Sequence, residues 1–261
     1  MSKIVKLELP IEPFSQSPRT NWIYLPDGYE KGHKVYPVLY MFDGHNLFYD
    51  EVATYGKCWG IKDYLDSHHL PLVVVGEDCN HIGNGRMDEY CPLKPRKIKG
   101  WEDTVPKGDV TAEWFVRTLK PAVEKEFRVH KDRKYTGIGG SSMGGLMSDY
   151  MACLYNDTYS RFASISPATE FCYKGCCLKL IASSSFRPHT KIYRSFGSSE
   201  IKGRHTEMKM ISALMDLSNA FTDQGCEVHN RIIVNGEHNE ATWESIVPEF
   251  LHYLYPEIYE K

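Results

Sequence analysis

At 261 residues and a net charge of −3, from 31 basic and 34 acidic residues, the chain has neither the basic stripe of a nucleic-acid binder nor a polybasic patch for an anionic membrane. Hydrophobic residues make up 42% and charged residues 25%, a balance that excludes collagen-like, coiled-coil and disordered chains. At roughly 150 residues per domain, with α/β folds of this length routinely undivided, the expectation is one domain over 1–261.

The opening MSKIVKLELP has no apolar h-region and no small-residue cleavage site, so it does not read as a signal peptide. Lys3 to Leu9 and Asn21 to Leu25 read as two edge strands, and Tyr36 to Phe42 as a buried strand of β-branched and aromatic residues. Trp59 to His68 reads as a helix and Leu70 to Gly76 as another buried strand; apolar runs of this size fall far short of the ~20 residues of a membrane span. Glu77 to Asp109 is irregular and rich in Gly, Pro and charge. Thr111 to Phe127 carries apolar residues at helical spacing, at 112, 115, 116, 119, 123 and 127. Strand Lys134 to Gly139 and helix Met143 to Leu154 follow, then strand Phe162 to Ser166 and a Cys- and aromatic-rich segment to about residue 189. The chain closes with strand Lys191 to Phe196, helix Arg204 to Asp223, strand Glu227 to Val234 and helix Glu240 to Tyr255. Strands alternating with helices imply right-handed crossovers and a mostly parallel sheet of about eight strands, covered by helices on both faces.

The eight cysteines, at 58, 79, 91, 153, 172, 176, 177 and 226, lack the paired spacing of a zinc ribbon. With no export signal the expectation is free thiols in a reducing cytoplasm, and three thiols at Cys172, Cys176 and Cys177 without a spaced histidine make a poor zinc set.

The sharpest local signal is Gly139-Gly140-Ser141-Ser142-Met143-Gly144-Gly145, which contains G-x-S-x-G centred on Ser142. It stands between a strand and a helix, where a strained turn exposes a serine and the flanking positions must be glycine. A phosphate-cradling loop does not fit, because no Lys-Ser/Thr pair follows and G-x-G-x-x-G is not met. A serine nucleophile needs a base, and in such sites the chain order is Ser, then Asp/Glu, then His. Downstream lie His189, His205, His229, His238 and His252. His238 stands out, in Val234-Asn235-Gly236-Glu237-His238-Asn239, between the last strand and the last helix and at the sheet edge of the elbow. The acid should follow an intervening strand: Glu200 in Gly197-Ser198-Ser199-Glu200 is the first candidate and Glu170, one strand earlier, its rival. Oxyanion donors are expected at Met143 N–H and in the loop Asp43-Gly44-His45-Asn46, where Gly44 permits close approach. His45 has the further reading of a metal ligand or base, although a lone histidine is usually neither.

Taken together, Tyr40-Met41-Phe42-Asp43-Gly44-His45-Asn46-Leu47-Phe48, Arg86 to Pro92, Leu119-Lys120-Pro121, Gly140 to Gly145, Ser166-Pro167-Ala168 and Gly236 to Trp243 resemble the putative-esterase family of α/β-hydrolases. That family includes enterochelin-esterase-like enzymes, feruloyl and acetyl-xylan esterase domains and esterase D relatives. The likeness runs from about residue 20 to the end, and GSSMGG and GEHNEATW are its specific pieces. It implies an α/β-hydrolase fold and an acyl-enzyme esterase with Ser142 as nucleophile and His238 as base, while the segments Cys79 to Gly108 and Thr169 to His189 read as loops and not as a large cap domain, so a fairly open pocket is expected. It places the acid in a G-[ST]-x-[DE] turn, here ending at Glu200 where many relatives have Asp, and some relatives work nearly as Ser–His dyads. Relatives often carry His at the position of Phe42.

The mechanism expected is two-step acyl transfer on a small-molecule ester, with no metal or organic cofactor required. Segments Cys79 to Gly108 and Thr169 to His189 flank the elbow and supply candidate walls with Tyr90, Trp101, Phe171 and Tyr173. Arg86, Tyr90 and Glu89 are candidate substrate contacts, against a reading in which Arg86, Asp88 and Glu89 form a structural ion-pair network. A thioesterase or acyltransferase using the same serine is the competing activity, and a hydrolase-fold binding protein the competing class. Oligomeric state is not indicated.

Overall fold

The computed structural model describes residues 1–12, 14–201 and 203–260, with the side chains of Gln16, Arg204 and His205 outside the description. Eight strands form one sheet: β1 (Lys3–Ile11), β2 (Ser15–Leu25), β3 (Val38–Met41), β4 (Val73–Glu77), β5 (Thr136–Ser141), β6 (Arg161–Ile165), β7 (Lys191–Gly197) and β8 (Glu227–Ile233). Their order is β1-β2-β4-β3-β5-β6-β7-β8. β1 and β2 pair antiparallel, β2 pairs antiparallel with β4, and every pairing from β4 to β8 is parallel. This is the α/β-hydrolase arrangement. Both β1 and β2 were expected at an edge; only β1 lies there, because β2 uses its second side to pair Asn21–Tyr24 with β4.

Period-two alternation divides the core. Val38, Tyr40, Val73, Val75 and Ile138 face one layer, and Leu39, Met41 and Val74 the other. The first layer is closed by α3 (Gly108–Trp114), α4 (Lys120–Glu126), α5 (Met143–Leu154), α6 (Lys174–Ser183) and α7 (Arg204–Asp223). The second is closed by α1 (Ile61–Ser67), α8 (Glu240–Glu244) and α9 (Val247–Leu254); α2 (Gly85–Glu89) lies between β4 and α3 in sequence.

Three departures from the expected elements have local causes. The helix expected over 111–127 carries a π turn at Phe115–Leu119, where Lys120 N–H bonds Phe115 C=O; Pro121 lacks the N–H that would continue the ordinary ladder. The helix expected over 240–255 is split, because Pro248 begins α9 and its ring is incompatible with the helical carbonyl four residues back. The Cys- and aromatic-rich segment after β6 contains α6, whose Gly175 and adjacent Cys176 and Cys177 have weak helix propensity but whose Cys177 and Ile181 share one buried face.

No described helix is long and apolar enough to cross a membrane. Among the described residues no separate cap domain stands over the sheet; the segments beside its carboxyl edge contribute only short elements, α2 and α6.

Candidate active site

Because β3 to β8 run parallel, the loops leaving their carboxyl ends gather at one edge of the sheet, the usual place for a ligand crevice. Ser142 stands there between β5, a central strand, and α5. Its backbone is at φ 57°, ψ −120°, a conformation costing about 1–3 kcal/mol for a residue with a side chain. The surrounding structure enforces it: Ser142 N–H donates to Ile165 C=O at 3.0 Å, and Ser142 C=O accepts from Leu146 and Ala168. A Cβ on Gly144 would meet Phe42 Cβ at 2.9 Å, and one on Gly140 would meet it at 3.0 Å. The elbow therefore closes only with glycine on either side of Ser141–Met143.

His238 follows β8, in a loop stitched to the one that follows β7. Ser198 N–H donates to Ile233 C=O, Ser199 N–H to Gly236 C=O, and Asn235 N–H to Ser198 Oγ. Asn239 caps α8 by accepting from Thr242 N–H, which fixes the exit of the loop. The two loops bring His238 Nδ1 to 2.8 Å from Glu200 Oε2. The Glu200 side chain is 2% exposed and the imidazole 39% exposed. The other carboxylate oxygen, Oε1, accepts from Ser166 Oγ at 2.5 Å and from Gly197 N–H at 2.6 Å. Ser166 Oγ in turn accepts from Trp243 Nε1–H at 3.0 Å, and the Trp243 ring meets His238 edge to face at 5.2 Å. A continuous chain thus runs Trp243, Ser166, Glu200, His238. Ser166 and Trp243 stood inside family-like segments, yet nothing in their spacing announced that they would meet across 77 residues.

The carboxylate at His238 Nδ1 is that of Glu200 and not of Glu170, whose carboxyl burial pushes above the ordinary range. Glu170 lines a second hollow of about 230 Å³ with Glu200 and His238. His229 is taken by Glu249, His189 and His252 are exposed, and the His205 side chain lies outside the described residues.

Ser142, Met143 and His238 line one cleft of about 440 Å³, with Arg86, Trp101 and Phe171 among its other walls. Trp101 and Phe171 meet edge to face at 6.4 Å. Met143 N–H belongs to the first turn of α5, where backbone donors have no helical partner and the dipole end is positive. Asp43, His45 and Asn46 line the cleft from the loop after β3, but Gly44 is pressed against Gly76 of β4, and a Cβ there would overlap that backbone. The His45 ring is engaged by Thr54 and Asp78.

The expected substrate contacts separate. Arg86 reaches the cleft, with its guanidinium bidentate to Asp43 at 2.7 Å and 2.7 Å. Burial opposes the Asp43 charge, yet Arg86 holds the carboxyl below the usual range. Tyr90 and Glu89 do not reach the cleft, which corrects their expected place in its wall. Both are buried: Glu89 binds Arg19 at 2.8 Å, and Tyr90 O–H donates to Glu77 at 2.5 Å. An ion-pair network is present, but its partners are Arg19, Glu77 and Glu89 on one side and Asp43 with Arg86 on the other. Tyr173 is half-exposed and is not part of the cleft wall.

Residues 15–253 match the pattern of a family described as "Putative esterase". An uncharacterized Bacillus subtilis (strain 168) protein, YbbA, is 26% identical over 181 residues, 68% of this chain and 67% of that protein. Among solved structures, an IroE-like serine hydrolase from Shewanella oneidensis superposes with a TM-score of 0.75 at 15% identity, covering 96% of this chain and 79% of the other. A ferulic acid esterase superposes with a TM-score of 0.73 at 17% identity, covering 99% of each chain. At these identities the two structures share the fold with this chain.

Proposed function

The chain belongs to the putative esterase family, and from that membership we propose a serine carboxylesterase, folded as one domain over 1–261, in which Ser142 is the nucleophile, His238 the general base and Glu200 the acid. The observation that carries this reading is the chain of contacts behind the imidazole. Glu200 has one oxygen saturated by two donors and the other aimed at Nδ1, which leaves Nε2 as the ring nitrogen free to take a proton. In the first step Ser142 Oγ attacks the ester carbonyl while His238 Nε2 takes its proton. The collapsing tetrahedral intermediate expels the alcohol, which leaves with that proton. Water then attacks the acyl-serine with the same imidazole as base. Met143 N–H, at the positive end of α5, serves the oxyanion; the second donor comes from the loop after β3, where Asp43 and His45 line the cleft. Trp101 and Phe171 suit a flat or aromatic acyl group, in keeping with the ferulic acid esterase among the structural neighbours. Arg86 supplies charge beside it, already neutralised in part by Asp43. The cytoplasmic setting is part of the same proposal, supported by eight cysteines that are all free thiols.

The test is hydrolysis of short p-nitrophenyl esters and of a feruloyl ester by the wild type and by Ser142→Ala, together with labelling by a fluorophosphonate probe. The expected result is turnover and labelling that both vanish in Ser142→Ala. A folded wild type that is labelled but turns over thioesters alone would favour the thioesterase reading. A folded wild type that is neither labelled nor active would overturn the enzyme.

A further inference from the structure

A cluster that ester hydrolysis does not use stands in the same cleft wall. Adjacent parallel strands β3 and β4 end side by side, so the loop bearing His45 meets the segment Asp78-Cys79-Asn80-His81. Donor atoms of His45, Asp78, Cys79 and His81 all lie within 4.8 Å of one another. Asp78 Oδ1 is 2.7 Å from His45 Nδ1 and 2.9 Å from His81 Nε2.

The state of His45 shows what this cluster is built for. The residue is only 6% exposed, and its Nε2 is held by Thr54 Oγ1 at 2.8 Å. Its Nδ1 is buried and stands 2.7 Å from Asp78 Oδ1, out of line with the carboxylate for a well-directed hydrogen bond. His45 Nδ1 and Asp78 Oδ1 converge with room for only a proton between them, and the far ring nitrogen is held by a hydroxyl, a disposition in which a cation can replace that proton. Donation from Nε2 to Thr54 Oγ1 is the arrangement that presents the Nδ1 lone pair inward when a cation is bound. Around a tetrahedral ion with bonds of about 2.0 Å, ligand atoms stand about 3.3 Å apart, so an opening of a few tenths of an ångström seats one here. Two imidazoles and a carboxylate suit zinc-class ions, whereas Ca²⁺ and Mg²⁺ would require more oxygen donors.

We propose that His45, Asp78 and His81 bind a zinc-class divalent cation in the wall of the cleft and leave its fourth position open. His81 is 57% exposed, so the cluster is open to solvent on its side of the cleft that it shares with Ser142. The ion would add positive charge where Arg86 is already paired, and would take an anionic or hydroxyl oxygen of the bound substrate. The inference does not depend on the reading of Ser142 as nucleophile, because its test is binding.

The whole chain, stripped with chelator, is titrated with Zn²⁺ and with Co²⁺ by calorimetry and visible absorption. The expected result is a single equivalent bound with micromolar or tighter affinity, and tetrahedral Co²⁺ bands. His81→Ala, at an exposed position that leaves the fold undisturbed, is expected to weaken binding by about tenfold or more, as is Asp78→Asn. His252→Ala and Cys176→Ser, on the surface away from the cluster, should leave the affinity unchanged. A wild type that binds neither ion at micromolar concentration, or a folded His81→Ala that binds as the wild type does, overturns the proposal.

Discussion

Replacing Glu200 by Gln tests the contact chain behind His238 most sharply, because the two side chains have the same shape. Glu200 uses both carboxylate oxygens as acceptors: Oε1 for Ser166 Oγ and Gly197 N–H, Oε2 for His238 Nδ1. A carboxamide keeps one acceptor. If its oxygen stays with Gly197 and Ser166, its NH₂ faces Nδ1 and drives the proton onto Nε2, so the ring can no longer accept from Ser142. If it flips, the NH₂ opposes the Gly197 amide, a donor that cannot rotate away. The buried end prefers the first arrangement. The charge-assisted bond to the imidazolium is worth about 1.5–3 kcal/mol, and disturbing a buried partner costs about 1–3 kcal/mol more. The 39% exposure of the imidazole lets water recover part of that. A net loss of about 2–5 kcal/mol in transition-state stabilisation follows, or about 30- to 5,000-fold in kcat. KM should change little, since Glu200 is 2% exposed and lies behind the base. Steady-state hydrolysis of a p-nitrophenyl ester measures both constants, with Glu170→Gln as the comparison, expected to stay within about threefold of wild type. A Glu200→Gln enzyme that also stays within about threefold, while Ser142→Ala is dead, would refute the argument and leave a Ser–His dyad.

Two further outcomes follow from named contacts. Trp243→Phe keeps a ring against His238 but removes the Nε1–H that Ser166 accepts; losing a neutral hydrogen bond of about 0.5–1.5 kcal/mol should lower kcat by about two- to thirteenfold with KM unchanged, and a Phe enzyme as fast as wild type would show that Ser166 needs no outer partner. Thiol accessibility is the second: seven of the eight cysteines are buried, and burial pushes Cys58 up to about 11 and Cys177 and Cys226 up to about 12, so an aromatic disulfide reagent at mildly alkaline pH should modify Cys176 alone in the native protein and all eight in guanidinium, and several fast native thiols would contradict the packing around α5 and α6.

What was readable in the chain were the features encoded over short distances. Alternation of strand-like and helix-like segments carried the parallel sheet, because a β-α-β crossover has one hand and buries strands on both faces. The elbow at Ser142 was legible because a positive φ between two close approaches leaves only glycine at its flanks. His238 and Glu200 were legible as positions, since a loop after a parallel strand must open at the edge shared with the elbow. The π turn before Pro121 and the break at Pro248 were also written locally, but they act through missing backbone donors, which a reading of side-chain periodicity passes over.

Tertiary structure decided which polar groups meet. Whether Glu89 and Tyr90 face the cleft or the interior depends on where Arg19 arrives, and Arg19 belongs to a strand 70 residues away in sequence from Glu89. Glu200 rather than Glu170 stands against Nδ1 because the loops after β7 and β8 are stitched by backbone hydrogen bonds. Trp243 reaches Ser166, and His45 reaches Asp78 and His81, through strand adjacency in an order, β4-β3-β5-β6-β7-β8, that is not the order of the chain. Hydrophobic patterning sets which face of a segment is buried because burial is non-directional and needs only a period. A hydrogen bond or an ion-ligand set needs distance and angle at once, and for residues far apart in sequence those are supplied only when the sheet has closed.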